Sequence, residues 1–288
     1  MTNSKIIGVG QGMARYAPEI NTITCGDCLQ VMKQIPDKSI DMILCDLPYG
    51  TTACKWDVVI PFEPLWVQYK RIIKDRGCIA LFGSEPFSSY LRISNIKNYK
   101  YDWIWFKNHP SGFALAKKQP MRIHETISVF YGGNYYPIKE NRNAKKETIN
   151  RYSYGLNGNG RVSKNRQQNG IMPITQTNID LEKRYPTSVK YFEVVPRCKM
   201  MHPTQKPVAL LEYFIHTYTN EGDTVLDNCI GSGTTAIACI NTRRNFIGIE
   251  KEEKYCQIAE ERIRALRSPV QNTKETRHTA MLKIFFTF

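Results

Sequence analysis

Apolar residues gather in short runs of strand length along this chain. Residues 40–45 (Ile-Asp-Met-Ile-Leu-Cys) form one run, which leads directly into Asp46-Leu47-Pro48-Tyr49-Gly50. That order reads as a buried strand ending in a tight turn. Similar runs recur at 78–82, 103–106 and 127–131. Between the first two, residues 62–73 carry Leu65, Val67, Tyr69, Ile72 and Ile73 at uneven helical spacing, which predicts a helix. After residue 207, Val208, Leu210, Leu211, Phe214 and Ile215 mark a helix face. A strand at 224–226, a glycine-containing turn, a helix from about Thr234, a strand at 246–249 and a helix over 252–266 follow. The last group is a complete βαβ unit. Strands alternating with helices predict an α/β fold, a doubly wound and mostly parallel sheet covered on both faces.

The pattern lapses in three places, and these divide the chain. Residues 1–19 show no periodicity and read as a loose arm. Residues 20–267 form one domain, and within it 136–199 is an insertion rich in Asn, Gly, Tyr and basic residues. Residues 268–288 end in Met281-Leu282-Lys283-Ile284-Phe285-Phe286-Thr287-Phe288, an apolar tail with no assigned role. A length of 288 residues suits one α/β domain carrying an insertion.

Charge sharpens this division. The chain holds 40 Lys and Arg against 26 Asp and Glu, a net +14. Residues 139–199 alone hold 13 basic and five acidic side chains, a surplus of eight. Such a surplus points to a polyanionic partner, although charge alone does not choose among nucleic acid, an anionic membrane and solubility. A basic linker is the plain alternative, but Tyr152, Tyr154, Tyr185, Tyr191 and Phe192 favour an insertion that folds or orders on binding. No apolar run approaches the 18 or so residues of a membrane span, and residues 1–16 lack the apolar stretch of a signal peptide. A soluble, cytoplasmic protein is therefore expected, with its nine cysteines reduced. Cys25-Gly26-Asp27-Cys28 has redox or half-zinc spacing, but no second such pair follows, so no metal site is expected.

Two segments carry candidate chemistry. The first is Asp227-Asn228-Cys229-Ile230-Gly231-Ser232-Gly233-Thr234-Thr235-Ala236, between a predicted strand and helix. Glycines there let a nucleotide-like ligand approach the backbone. Glu250 lies 19 residues after Gly231 at the end of the next strand, placed to accept hydrogen bonds from two ribose hydroxyls. This fingerprint is shared by several nucleotide-binding folds, so NAD competes as the ligand. The second segment is Asp46-Leu47-Pro48-Tyr49, at a strand's carboxyl end where open α/β sheets place catalytic groups. A carboxylate and a neighbouring backbone carbonyl are both acceptors, and together they can orient an exocyclic amine. Pro48 restricts the geometry of Leu47, and Tyr49 can stack on a base. The plain alternative is that Asp46 starts an ordinary turn and Tyr49 packs the core.

In this order the motifs resemble the amino-methyltransferases of bacterial and phage DNA, in the arrangement called the β class. That family carries a DPPY-type tetrad early, a target-recognition region in the middle and the cofactor loop late. Supporting blocks are Gly26-Asp27, residues 77–87, His124-Glu125, His202-Pro203-Thr204-Gln205-Lys206-Pro207 and residues 246–250, so that the likeness runs from about 23 to 263. The resemblance implies a circularly permuted, Rossmann-like methyltransferase fold with S-adenosyl-L-methionine as cofactor, double-stranded DNA as partner and no metal. It is compatible with a homodimer and with a companion restriction enzyme. It implies a catalytic tetrad of Asp46, Leu47, Pro48 and Tyr49 acting on a flipped base. Asp27, Asp227, Gly231, Ser232, Gly233, Thr234 and Glu250 would hold the cofactor, with His202, Thr204 and Lys206 at its methionine end. For Asp27 a helix cap is the plain alternative, and for Lys206 a solvated charge. Asp at the first tetrad position is commoner in the family's adenine-N6 enzymes, and Ser in its cytosine-N4 enzymes. Leu47 departs from the family's first proline but keeps the carbonyl. An RNA or protein amino-methyltransferase and an inactive nucleic-acid-binding relative are the alternatives.

Overall fold

The computed structural model describes residues 17–52, 54, 57–141, 156–157, 161–162 and 182–267. Most of the predicted arm, the centre of the 136–199 insertion (Tyr152 and Tyr154 included) and the tail lie outside the described residues.

Eight strands form the main sheet. They are β1 (Thr22–Cys25), β2 (Ile40–Cys45), β3 (Ile73–Gly83), β4 (Tyr99–Ser111), β5 (Arg122–Phe130), β10 (Val189–Tyr191), β11 (Thr224–Asp227) and β12 (Asn245–Glu250), in the order β1-β12-β11-β2-β3-β5-β4-β10. β5 is antiparallel to both its neighbours, and every other pairing in the sheet is parallel. Seven strands therefore end at the same edge, where β5 begins.

The sheet is sandwiched because alternate residues of its strands face opposite layers. Ile43 and Cys45 of β2 join Ile79 and Leu81 of β3 under α1 (Cys28–Met32), α2 (Phe62–Ile72) and α3 (Phe87–Ser94). Met42 and Leu44 join Cys78, Ala80 and Phe82 against α4 (Val208–Tyr218), α5 (Thr234–Asn241) and α6 (Glu253–Arg267). The doubly wound, mostly parallel α/β sheet expected from the sequence is what forms.

Details depart from the pattern for physical reasons. In α2 the buried residues are Leu65, Trp66, Tyr69 and Ile72, while Val67 is 58 % exposed. Positions 65, 66, 69 and 72 fall on one side of a 3.6-residue period and 67 falls opposite, which corrects the face assigned from sequence. Ile73 opens β3 instead of closing the helix. The strand β1 is short and half-buried, so its alternation is faint.

The ends of residues 136–199, expected to form an insertion, are tied to the body. β6 (Glu140–Asn141) pairs with β9 (Lys183–Arg184), and β10 extends the main sheet beyond β4. Lys190 of β10 is buried, donates to Glu140 and lies over the rings of Trp103 and Tyr213. A further pair, β7 (Leu156–Asn157) with β8 (Arg161–Val162), lies within the insertion. Among the described residues, no helix is long and apolar enough to cross a membrane.

Candidate active site

The shared carboxyl edge opens into a cavity of about 660 Å³, a size usual for small-ligand sites. It runs from Asp27 and Glu250 at one end to Asp46, Glu125 and Arg122 at the other.

One end is assembled on the turn after β11. Gly231 and Gly233 have φ of +52° and +81°, left-handed values that side chains resist. A Cβ on Gly233 would also stand 2.8 Å from that of Ala259 and 3.1 Å from its Cα. The turn is held from below and behind. Glu250 Oε2 accepts from Gly231 N at 2.8 Å and its Oε1 from Glu252 N at 2.9 Å, while burial raises its pKa. Asp227 accepts from Cys229 N at 3.1 Å and from the Thr235 hydroxyl at 2.5 Å, and burial pushes its pKa up to about 6. Tyr69 donates to Asn228 Oδ1 at 2.5 Å. Arg262 donates to the Ser232 carbonyl at 2.5 Å and to the Ser232 and Thr234 hydroxyls at 3.0 and 3.4 Å. Asp27 caps α1, accepting from Gln30 N at 3.1 Å, and also lines the cavity.

His202 sits over the turn, its ring 3.5 Å from the place a Cβ on Gly231 would occupy. Its Nδ1 lies 3.1 Å from the Thr204 hydroxyl and its ring 4.2 Å from that of Tyr255. Burial, helped by the Lys206 charge, lowers its pKa to about 4, so the imidazole is neutral at neutral pH.

The other end is a chain of charges. Asp46 follows β2, and its Oδ1 accepts from Tyr49 Oη at 2.6 Å while Oδ2 accepts from Lys206 Nζ at 2.5 Å. Lys206 Nζ is also 3.2 Å from Glu125 Oε2, and Glu125 Oε1 takes a hydrogen bond from Lys107. Lys206 is 8 % exposed and lies 5.2 Å from the centroid of Phe82, so it is not a solvated charge. Its burial works against the charge, yet Asp46 and Glu125 together hold its pKa above the ordinary lysine value. Burial raises the Asp46 pKa, with Lys206 opposing and Glu125 reinforcing the rise. Glu125 is held low despite its burial by Lys206 and Lys107.

Around this chain the tetrad is fixed by packing. The Leu47 side chain is 3 % exposed within the core layer under α1 and α2. The Tyr49 ring stacks on Phe87 with centroids 4.9 Å apart. Asp57 closes the following loop by accepting from Gly50, Thr51 and Thr52 N at 2.9, 2.9 and 2.6 Å. Burial works against its ionised form, but these hydrogen bonds prevail and lower its pKa.

The predicted residues Asp46, Leu47, Pro48, Tyr49, Asp27, His202, Thr204, Lys206, Asp227, Gly231, Ser232, Thr234 and Glu250 all line this one cavity, and Gly233 closes the turn beside it. Lys206 bridges to the tetrad carboxylate. Lys107, Asp57 and Arg262 escaped sequence reasoning, and Glu125 was noted without a role. Lys107 did carry a signal, because Trp103, Trp105 and Lys107 share one face of β4 at period two, and a lysine closing a buried aromatic row is a buried charge.

Comparison with known proteins gives the family. The model of the DNA methylase family N6_N4_Mtase matches residues 40–261. The chain belongs to this DNA methylase family. Among curated relatives, it is 30 % identical to DNA adenine methyltransferase YhdJ of Escherichia coli (strain K12), over 86 % of this methylase and 84 % of that protein. It is 28 % identical to Type II methyltransferase M.HinfI of Haemophilus influenzae, over 86 % and 69 % of the two chains. Solved structures share the fold. The M1.HpyAVI–SAM complex aligns with a TM-score of 0.54 at 24 % identity, covering 84 % of this methylase and 98 % of that chain. The PvuII cytosine-N4-specific DNA methyltransferase aligns at 0.56 with 15 % identity and 92 % of each chain.

Proposed function

We infer that this methylase transfers a methyl group from S-adenosyl-L-methionine to the N6 amino group of adenine in double-stranded DNA. The observation that carries the reading is a single cavity flanked by the glycine turn with Glu250 at one end and the Asp46 carboxylate at the other. When bound, the cofactor supplies an electrophilic methyl on a sulfonium. The residues present fit it. The left-handed glycines leave the backbone open to close approach, and Glu250 would offer acceptors to ribose hydroxyls.

At the other end, an exocyclic amine is a poor nucleophile because its lone pair is delocalised into the ring. Asp46 and the Leu47 carbonyl accept its two N–H groups and favour a pyramidal nitrogen whose lone pair faces the methyl. Methylation would leave the amine nitrogen cationic, with a proton to shed. Asp46, with its pKa raised by burial, is suited to take that proton, and Lys206 holds the carboxylate in place. Positioning supplies the rest of the acceleration. The base would be extruded from the duplex to meet these groups, and Tyr49 and Phe87 offer aromatic surface there.

Adenine is favoured by Asp at the first tetrad position and by the YhdJ relative. In this reading the 136–199 insertion selects the DNA sequence, the methylase works in the cytoplasm of a bacterial or phage-infected cell without a metal, and a homodimer is the assembly to look for. Incubation with tritiated cofactor and duplex DNA, RNA or protein tests the substrate class. Label is expected in duplex DNA, and label confined to RNA or protein would overturn the reading.

A further inference from the structure

The β4–β5 hairpin carries a feature that the cavity does not explain. β4 ends at the same sheet edge as β2, which carries Asp46, so the hairpin's tip projects past the cavity mouth. His109, Pro110, Ser111, Arg122 and His124 at its base line the cavity. Arg122 fastens that base by donating to the Ser84 hydroxyl at 2.9 Å. From Lys107, inside the charge chain, to Phe113 is six residues, a reach of at most about 20 Å at strand spacing.

At the tip, Phe113 is 84 % exposed and Leu115 47 %. An exposed phenyl ring on a floppy loop would mean little, but this tip is shaped. Gly112 turns the chain at φ +88°, residues Phe113–Leu115 make a helical turn, and Lys118 and Gln119 N both donate to the Leu115 carbonyl at 2.8 and 3.0 Å. The chemistry around it is cationic. Lys117, Lys118 and Arg122 lie in a stretch, residues 108–124, that contains no Asp or Glu. An exposed aromatic ring on a shaped turn, with cations on the same hairpin and beside a cavity that the proposed reaction fills with an extruded base, matches the chemistry of a stacked polyanion.

We propose that the hairpin tip is a DNA wedge, in which Phe113 enters the base stack at the position vacated by the target nucleotide while Lys117 and Lys118 contact flanking phosphates. The proposal rests on the DNA-methylation reading above. Phe113 acts on the duplex and does not touch the reacting atoms, so it is a positioning residue. Its contribution is to offset the unstacking and unpairing that extrusion requires.

The test uses the full chain and two duplexes carrying its own recognition site, identified by modification-sensitive sequencing. One duplex is fully paired, and in the other the target base faces a mismatch, which makes extrusion easier. On the paired duplex, Phe113→Ala is expected to slow single-turnover methylation about tenfold or more, with cofactor affinity unchanged. On the mismatched duplex its rate should return to within about threefold of wild type, and Phe113→Trp should keep most of the wild-type rate on both. An unchanged rate on the paired duplex would overturn the wedge, as would an equal loss on both duplexes, the signature of a merely structural role. A wild-type chain that methylates neither duplex would bring down the DNA reading and the wedge with it.

Discussion

At the glycine-turn end of the cavity, side chains hold backbone. Glu250 accepts from Gly231 and Glu252 N, Asp227 from Cys229 N, and Arg262 donates to the Ser232 carbonyl. At the tetrad end, charged side chains hold each other, with Lys107, Glu125, Lys206 and Asp46 arriving from four separate segments. The first end is a shaped turn, and its function depends on conformation. The second is an electrostatic assembly, and in the proposed reaction its role depends on which charges face the amine. A buried charge group is costly to break at one member, because the remaining charges are left unpaired. Substitutions at the two ends should therefore fail in different ways.

The largest effect is expected at the tetrad. Asp46→Ala removes the acceptor for the amine and should lower kcat by about 1,000-fold or more, as loss of a group aimed at the transition state typically does. Cofactor affinity should change by less than about tenfold, or 1.4 kcal/mol. Turnover assays and titration calorimetry on the same preparation check both, and parallel losses would erase the distinction between the ends.

Gly233→Ala attacks the other end. An L-residue at φ +81° costs about 1–2 kcal/mol in the left-handed region, and the methyl group meets Ala259 as well. A stability loss of about 2–3 kcal/mol is expected, together with weaker cofactor binding. Thermal denaturation with and without cofactor measures it. A variant with wild-type melting and binding would show that the turn does not need its glycine.

Glu125→Gln probes whether the charge chain tunes Asp46. It should lower kcat by roughly tenfold, the scale of 1.4 kcal/mol, while leaving cofactor affinity intact. Glu125 raises the Asp46 pKa, so removing its charge lets Asp46 stay ionised in more acidic solution. The acid limb of the kcat profile should therefore move to lower pH. An unmoved limb would reduce Glu125 to a packing role.

Much of this contrast was legible in the sequence. The glycine turn, Glu250 and the tetrad sit on strand ends whose apolar runs announced them, and β2, β11, β12 and the helices after residue 207 follow the predicted pattern. The charge chain was harder to read, because Lys107, Glu125 and Lys206 are far apart in the chain and meet through sheet order. β5 inserts between β3 and β4 and brings Glu125 beside both lysines. Local periodicity does not encode strand order. Lys206 is a case in point, since the family resemblance implies a cofactor contact for it and only the folded chain shows its ammonium reaching Asp46.

The smallest expected effect separates two buried groups near the turn by sign. Asp227 has its pKa raised to about 6, so the folded state gains stability from its protonation as pH falls from about 6 toward the unfolded carboxyl value. His202 has its pKa lowered to about 4, so the folded state loses stability as pH falls below the unfolded value of 6.5. Relative to wild type, Asp227→Asn should become progressively less stable between pH 7 and 4, and His202→Gln progressively more stable. Melting temperatures across that range test the pair, and slopes of equal sign would contradict the assignments.

The most direct test of the central claim is mass spectrometry of nucleosides from DNA treated with the purified methylase, using DNA from a host without methylases of its own. N6-methyladenine is expected with the wild-type chain and none with Asp46→Ala. The absence of any methylated base with the wild-type chain, or N4-methylcytosine in place of N6-methyladenine, would contradict the account.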